Sequence, residues 1–218
     1  MKQKKVRSPV PPRERILEAA ALMFYEDGIR GVGVEAIAAA ADTTKMAIYR
    51  NFDSKDELVA EWVRGLTLQY SAVLDDLEAR HPGDARAQLL GFVDFIVDSL
   101  YKVSHRGCPF VNSISDLPDR NHPARQLIET HKARQASRLA RLCEEAGIPQ
   151  PREAAVELTF LLEGAQITAL NRGVAGVDSM LAVLAHRVID RGLPKRRGSP
   201  KGGPLPAPAQ RAGNAKAR

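Results

Sequence analysis

The sequence predicts an all-α protein: a three-helix head carrying a helix-turn-helix, followed by a larger helical body, about nine helices in all. Three observations predict it. Apolar residues recur at helical spacing, as in Val34, Ile37, Ala38 and Ala41, which fall at i, i+3, i+4 and i+7. Strand-like alternation is absent, and aromatic residues make up only 5% of the chain. Each periodic run is closed by Gly, Pro or a short polar turn. The expected organisation is a basic arm over 1–11, the helix-turn-helix unit over 12–57, a helical body over 58–192 and a basic tail over 193–218.

The arm, KQKKVRSPV, has no periodicity. It reads either as an unstructured terminus or as a flexible arm for phosphates or a minor groove. Pro12 suits a first helical turn. Ile16, Leu17, Ala20, Ala21 and Phe24 then mark one apolar face down to Gly28, and Gly31 completes the exit. Gly33 is a weak cap for the next helix, Val34 to Ala41. Asp42-Thr43-Thr44 breaks the pattern. Asp tolerates the left-handed conformation that a sharp turn needs, and Thr44 is typed as an N-cap. In the following helix Ile48 and Phe52 point inward, leaving Lys45, Met46, Tyr49 and Arg50 outside. A basic, hydroxyl-bearing outer face at a helix start suits a DNA groove with phosphate walls.

Ser54 with Glu57 three residues on reads as a capping box. Lys55 lies in the first turn, where the helix dipole favours anions. It is a solvated lysine, or it stands beneath a phosphate held by the turn's amides and its own ammonium. Leu58, Val59, Trp62, Val63, Leu66, Tyr70, Val73, Leu74 and Leu77 continue as one long helix to His81-Pro82.

Charge is uneven. The formal net charge is +6; residues 1–55 carry net +3, the middle of the chain is mildly acidic, and residues 195–218 carry seven basic side chains and no acidic one. That distribution suggests a polyanion partner for the ends only. No apolar run reaches the length of a membrane span and no secretory signal opens the chain, so no membrane partner and a cytoplasmic location are expected. Cys108 and Cys143 have no metal-type spacing, and the five histidines form no HxxxH or His/Cys cluster. No metal and no cofactor are expected. Gly-rich phosphate loop, nucleophile elbow and zinc spacing are all missing, which argues against an enzyme and leaves no catalytic residue to name.

Residues 13–62 resemble the DNA-binding head of the TetR family of bacterial transcriptional regulators. The likeness runs through RERILEAAALMFYEDG, then GVEAIAAAA, then the turn, then AIYRNFDSKDEL. Tyr49, Phe52, Ser54, Lys55 and Leu58 form its most specific string. The resemblance implies that Lys45–Asn51 is the recognition helix. On that basis Tyr49 and Lys55 grip phosphates, while Thr44 caps the helix and reaches a phosphate. Lys45 and Met46 face base edges, Arg50 and Asn51 stand at the backbone or groove edge, and Ala47 belongs to the same contact set. Asp42, Ala47, Asn51 and Gly33 depart from the usual family residues, so no operator sequence is inferred.

The body is expected to hold helices over about 83–102, a short one ending at Leu117-Pro118, and longer ones over about 123–146, 151–171 and 177–190. The resemblance implies that such a body encloses a small-molecule pocket and that its last two long helices pair with a second subunit. The sequence supports pairing independently. Leu158, Phe160, Leu161, Leu162, Ala165, Ile167 and Leu170 surround their helix on nearly every side, beyond one core face, and Met180 to Ile189 do much the same. A central helix buried within one subunit is the alternative. Pocket candidates are Phe92, Phe95, Cys108, Phe110, Asn112, Asp116, His131 and Gln166, chosen for aromatic walls with sparse polar groups; core packing would use the same residue types. Cys108 reads as a buried inert thiol or as a redox sensor beside His105 and Arg106. From Leu193 onward the chain is Pro, Gly, Ala and basic residues, too poor in apolar surface to order itself.

The expected function is a ligand-responsive regulator of transcription: a homodimer on a palindromic double-stranded operator, a repressor released by a small molecule. An activator, or a sequence-indifferent DNA-binding protein without an inducer, is the alternative.

Overall fold

A computed structural model describes residues 10–102, 106–171 and 174–192. Most of the basic arm (1–9), the tail (193–218) and His105 lie outside the described residues. Nine α-helices and no strand are present among the described residues: α1 (Pro12–Asp27), α2 (Val34–Ala40), α3 (Lys45–Asn51), α4 (Lys55–Arg80), α5 (Ala85–Lys102), α6 (Pro109–Asp116), α7 (Pro123–Glu145), α8 (Pro151–Asn171) and α9 (Val177–Ile189). The all-α architecture is as the sequence predicts. None of these helices is long and apolar enough to cross a membrane.

The chain divides into two compact units, residues 1–80 with 108–138, and 81–107 with 139–218. The first unit thus combines the head and α4 with α6 and most of α7, which enter the sequence much later. Its core is continuous. Ile16, Ala20 and Phe24 of α1, Ile37 and Ala38 of α2, Ile48 of α3, and Leu58, Val59 and Val63 of α4 form one buried cluster with Phe110, Leu117, Ala124 and Ile128. Full burial of each large aliphatic or aromatic side chain contributes about 1.5–3 kcal/mol. The small α2 alanines let helices approach, while Phe24 meets Trp62 with ring centroids 5.5 Å apart. The Arg13 guanidinium covers Phe52 at 4.9 Å and pairs with Glu61 at 2.9 Å, closing the cluster on one side.

α4 is 26 residues long, about 39 Å at 1.5 Å per residue. Its far end is held within the same unit, where Arg138 of α7 reaches Asp75 at 2.5 Å and Glu78 at 2.6 Å. In the second unit, Asp84 caps α5 by accepting the Ala87 N–H at 2.9 Å. Arg86 of α5 donates twice to the Asp190 carboxylate, at 2.8 and 2.6 Å, at the end of α9. α7 ends at Glu145, and Gly147 stands one residue beyond the bound expected from the sequence. Gly147 takes φ +70°, its N–H donates to Glu144 O at 3.0 Å, and the Ile148 N–H donates to Cys143 O at 3.0 Å. These are the two hydrogen bonds of a Schellman stop, with Ile148 buried behind them.

α8 and α9 carry several exposed apolar residues. Phe160 is 71% exposed, and Val156, Ile167 and Val183 are also exposed. Phe160, Leu161, Ala165, Val177, Leu181 and Leu184 line an apolar groove between the two helices.

Candidate nucleic-acid interface

The turn that opens the interface depends on one residue's backbone. Asp42 adopts φ +46°, the left-handed region where Asp is tolerated better than most residues. The Thr43 N–H then returns to Ala38 O at 2.9 Å, reversing the chain within three residues. Thr44 is extended, and its Oγ1 accepts the Ala47 N–H at 3.1 Å. α3 therefore starts from a fixed point. Ile48 and Phe52 are fully buried behind it, which turns Lys45, Met46, Tyr49 and Arg50 outward. Met46 is 65% exposed and Tyr49 44%. Large apolar surface left in water at a helix start is unusual for a solvated face and suits contact with a groove.

Two members of the expected contact set look inward in part. Ala47 and Asn51 are half-buried, and the Asn51 amide donates to Ala47 O at 2.7 Å within its own helix. Lys45 is exposed but engaged: its Nζ lies 2.5 Å from Glu35 Oε1 on α2. The hydrogen bond to Lys45 holds the Glu35 carboxyl below its usual range, and the same bond raises the Lys45 ammonium.

Lys55 carries a structural duty that its place in the sequence did not announce. Its Nζ donates to the Ile29 carbonyl at 2.7 Å, and partial burial lowers its pKa from the ordinary lysine value. The N–H of that same Ile29 donates to Asp116 Oδ2 of α6 at 2.7 Å. One residue in the α1–α2 loop is thus gripped on both sides, by an ammonium from α4 and a carboxylate from α6. An ammonium has three donors, so this bond leaves the others for a phosphate. The start of α4 is capped as expected by Ser54, whose Oγ accepts the Glu57 N–H at 3.0 Å. The return bond differs from the expected capping box: the Glu57 carboxylate accepts from the Asp53 N–H, one residue before the cap.

The eight pocket candidates do not share one compact unit. Phe92, Phe95 and Gln166 belong to the second; Phe92 and Phe95 stack with centroids 6.4 Å apart, and Gln166 turns its amide back to Leu162 O at 3.2 Å. Cys108, Phe110, Asn112, Asp116 and His131 belong to the first. There Phe110 stacks on His131 at 4.7 Å and meets Tyr70 edge-on at 5.1 Å. His131 Nε2 is buried with no hydrogen-bond partner, and desolvation lowers the imidazole pKa. Cys108 is a buried free thiol. Asn112 is half-buried on α6. Asp116, selected as a pocket group, spends its carboxylate on the head. Sequence reasoning also missed Glu35, because nothing in the local pattern of α2 shows that a residue ten positions on will meet it.

A three-helix head with a capped helix-turn-helix, carried by a larger helical body, defines a class of DNA-binding regulator architecture. Residues 16–62 match the profile of the bacterial regulatory proteins of the tetR family. The solved structure of SCO4454, a TetR-family transcriptional regulator from Streptomyces coelicolor, is similar with a TM-score of 0.77 and 26% identity, covering 82% of this chain and 94% of that one. Among curated proteins, the HTH-type transcriptional repressor KstR2 of Rhodococcus jostii is 38% identical over 69 residues, 32% of this chain and 30% of that protein. The HTH-type transcriptional regulator TtgR of Pseudomonas putida is 26% identical over 140 residues, 55% of this chain and 60% of that protein. The matched stretches thus span about a third to three fifths of these curated relatives. The likeness to the tetR family is carried by the head, residues 16–62, and by the fold shared with SCO4454.

Proposed function

We propose that this chain is a ligand-responsive transcriptional repressor that binds a palindromic DNA operator as a homodimer and leaves it when a small molecule binds the body. The observation that carries the reading is α3: Lys45, Met46, Tyr49 and Arg50 stand exposed opposite the fully buried Ile48 and Phe52. Arg50 and Tyr49 suit phosphate contact, Lys45 and Met46 suit base edges, and Lys55 retains donors for a phosphate above the first turn of α4. Thr44, Ala47 and Asn51 then shape and seat the helix more than they read sequence.

Pairing is supported by the apolar groove and exposed Phe160 on α8 and α9, a surface that a second copy would cover. Two heads on one palindrome supply the specificity that one short helix lacks. Response to an effector is supported by two features of the first unit. The unpaired Nε2 of His131 beside Phe110 and Tyr70 offers a polar anchor among aromatic walls. The Asp116 bond to Ile29 lets any displacement of α6 reach the head. An effector that prefers one placement of α6 shifts the population of head conformations by its differential affinity.

Genome-wide mapping of sites bound by the purified protein tests the reading. A discrete palindrome near a promoter is the expected result; even coating of all sequences would sink it. Lys55→Ala and Tyr49→Phe are expected to weaken binding to every duplex alike, whereas Lys45→Ala changes preference at one half-site position.

A further inference from the structure

The ion pair between Glu35 and Lys45 joins the two helices of the turn at the point proposed to enter the groove. Glu35 is the second residue of α2 and Lys45 the first of α3. Gly33 has no side chain with which to cap α2. The Glu35 charge stands in the first turn, where the α2 dipole favours an anion. Lys45 has the opposite circumstance, a cation in a first turn where the dipole of α3 opposes it. Glu35 is therefore the partner that its own helix favours in place, and the ammonium rests against it. Side-chain exposures of 71% for Glu35 and 54% for Lys45 make the pair solvated and readily exchanged.

We propose that Glu35 is a specificity-determining residue, which holds the Lys45 ammonium until a base edge replaces it and so weakens binding to sequences that offer none. This rests on the reading that α3 enters the major groove. A lysine paired with a carboxylate presents no net charge to a phosphate wall, so the pair withholds one cation from sequence-independent binding. The guanine edge offers O6 and N7 acceptors in the major groove, and a lysine can leave a solvated carboxylate for them. The penalty falls on duplexes that lack the edge, so the pair favours discrimination over affinity.

The test measures the full-length protein on two duplexes of equal length, one carrying the mapped palindrome and one of random sequence, across a salt series. Glu35→Gln is expected to tighten binding to the random duplex and to steepen its log–log salt slope by about 1.8, about 0.9 for each of the dimer's two heads. The palindrome gains less, so the ratio of the two affinities falls by about threefold or more at low salt. In a Lys45→Ala background, Glu35→Gln is expected to leave the ratio where Lys45→Ala put it. Unchanged melting temperatures check that these exposed substitutions spare the fold. An affinity ratio that stays constant or rises in Glu35→Gln, while Lys45→Ala alters preference, overturns the inference and leaves the reading of α3 standing. No effect of Lys45→Ala on either duplex overturns that reading, and the inference falls with it.

Discussion

In the head, Ile16 and Ile37 are wholly enclosed and Ile48 nearly so, and four polar side chains find backbone partners: Thr44 on the Ala47 amide, Ser54 on the Glu57 amide, Lys55 and Asp116 on one loop residue. On α8 and α9 the buried face carries Leu158, Leu162, Leu181 and Ala185, yet Phe160, Val156, Ile167 and Val183 remain in water on other faces. The contrast separates two uses of apolar residues. In the head most of them pack within the chain behind the outward face of α3, with Leu22 and Met46 left exposed. On α8 and α9 a second apolar layer is left over, and water is a poor partner for it.

Three experiments press on that contrast, beginning with the largest effect. Phe160→Asp removes the most exposed aromatic of the groove and adds a charge there. Burial of Phe160 is worth about 1.5–3 kcal/mol and two-fold symmetry counts it twice, so the dimer dissociation constant should rise by about a hundred- to ten-thousand-fold. Sedimentation should show the mass settling at the 23.8 kDa of one chain, with operator binding lost. An unaltered dimer would mean that the leftover apolar layer serves something else.

Ile48→Ala probes the other side. Ile48 is 1% exposed, and emptying such a site costs about 2–5 kcal/mol. The melting temperature should fall by roughly 4–20 °C, and operator affinity with it. Val156→Ala, on the exposed face of α8, should change monomer stability by about 0.5 kcal/mol or less. Equal losses from the two variants would erase the distinction.

The smallest effect concerns a place in the first unit where polar pairing is not complete. His131 is buried, with its pKa lowered from 6.5 by desolvation. The unfolded chain takes up a proton near its ordinary value while the folded chain resists it. Stability is therefore full above about pH 6.5 and lost as pH falls toward the lower folded value, by at most about 1.4 kcal/mol per pH unit. Urea titrations at pH 7 and pH 5.5 should show this slope, and His131→Phe should flatten it. An unchanged slope would assign the acid loss to other groups.

Much of the fold was legible in the sequence because helices announce themselves locally. Pro12, Asp42, Thr44, Ser54 and Gly147 each mark a start, a turn or a stop through their own backbone or hydroxyl chemistry, and each does so in the structure. The outward set on α3 followed from the same spacing that buries Ile48 and Phe52. What stayed hidden were contacts whose partners share no local pattern. Lys55 meets a backbone carbonyl 26 residues away, and Asp116 meets a backbone amide 87 residues away; neither acceptor nor donor has a residue type to read. The pocket residues were chosen by type, and aromatic or sparse polar residues serve ordinary cores equally well. That is why Gln166 and Asp116 turn out to be engaged with backbone groups.

The grip on Ile29 has a consequence for what counts as an autonomous part. A fragment cut after α4 would keep every residue of the helix-turn-helix, but it would lose the carboxylate that satisfies the Ile29 N–H and the guanidinium that bridges Asp75 and Glu78. Its reading surface would be present in sequence and unsupported in space, and the smallest faithful version of this head includes α6 and α7 as far as Arg138.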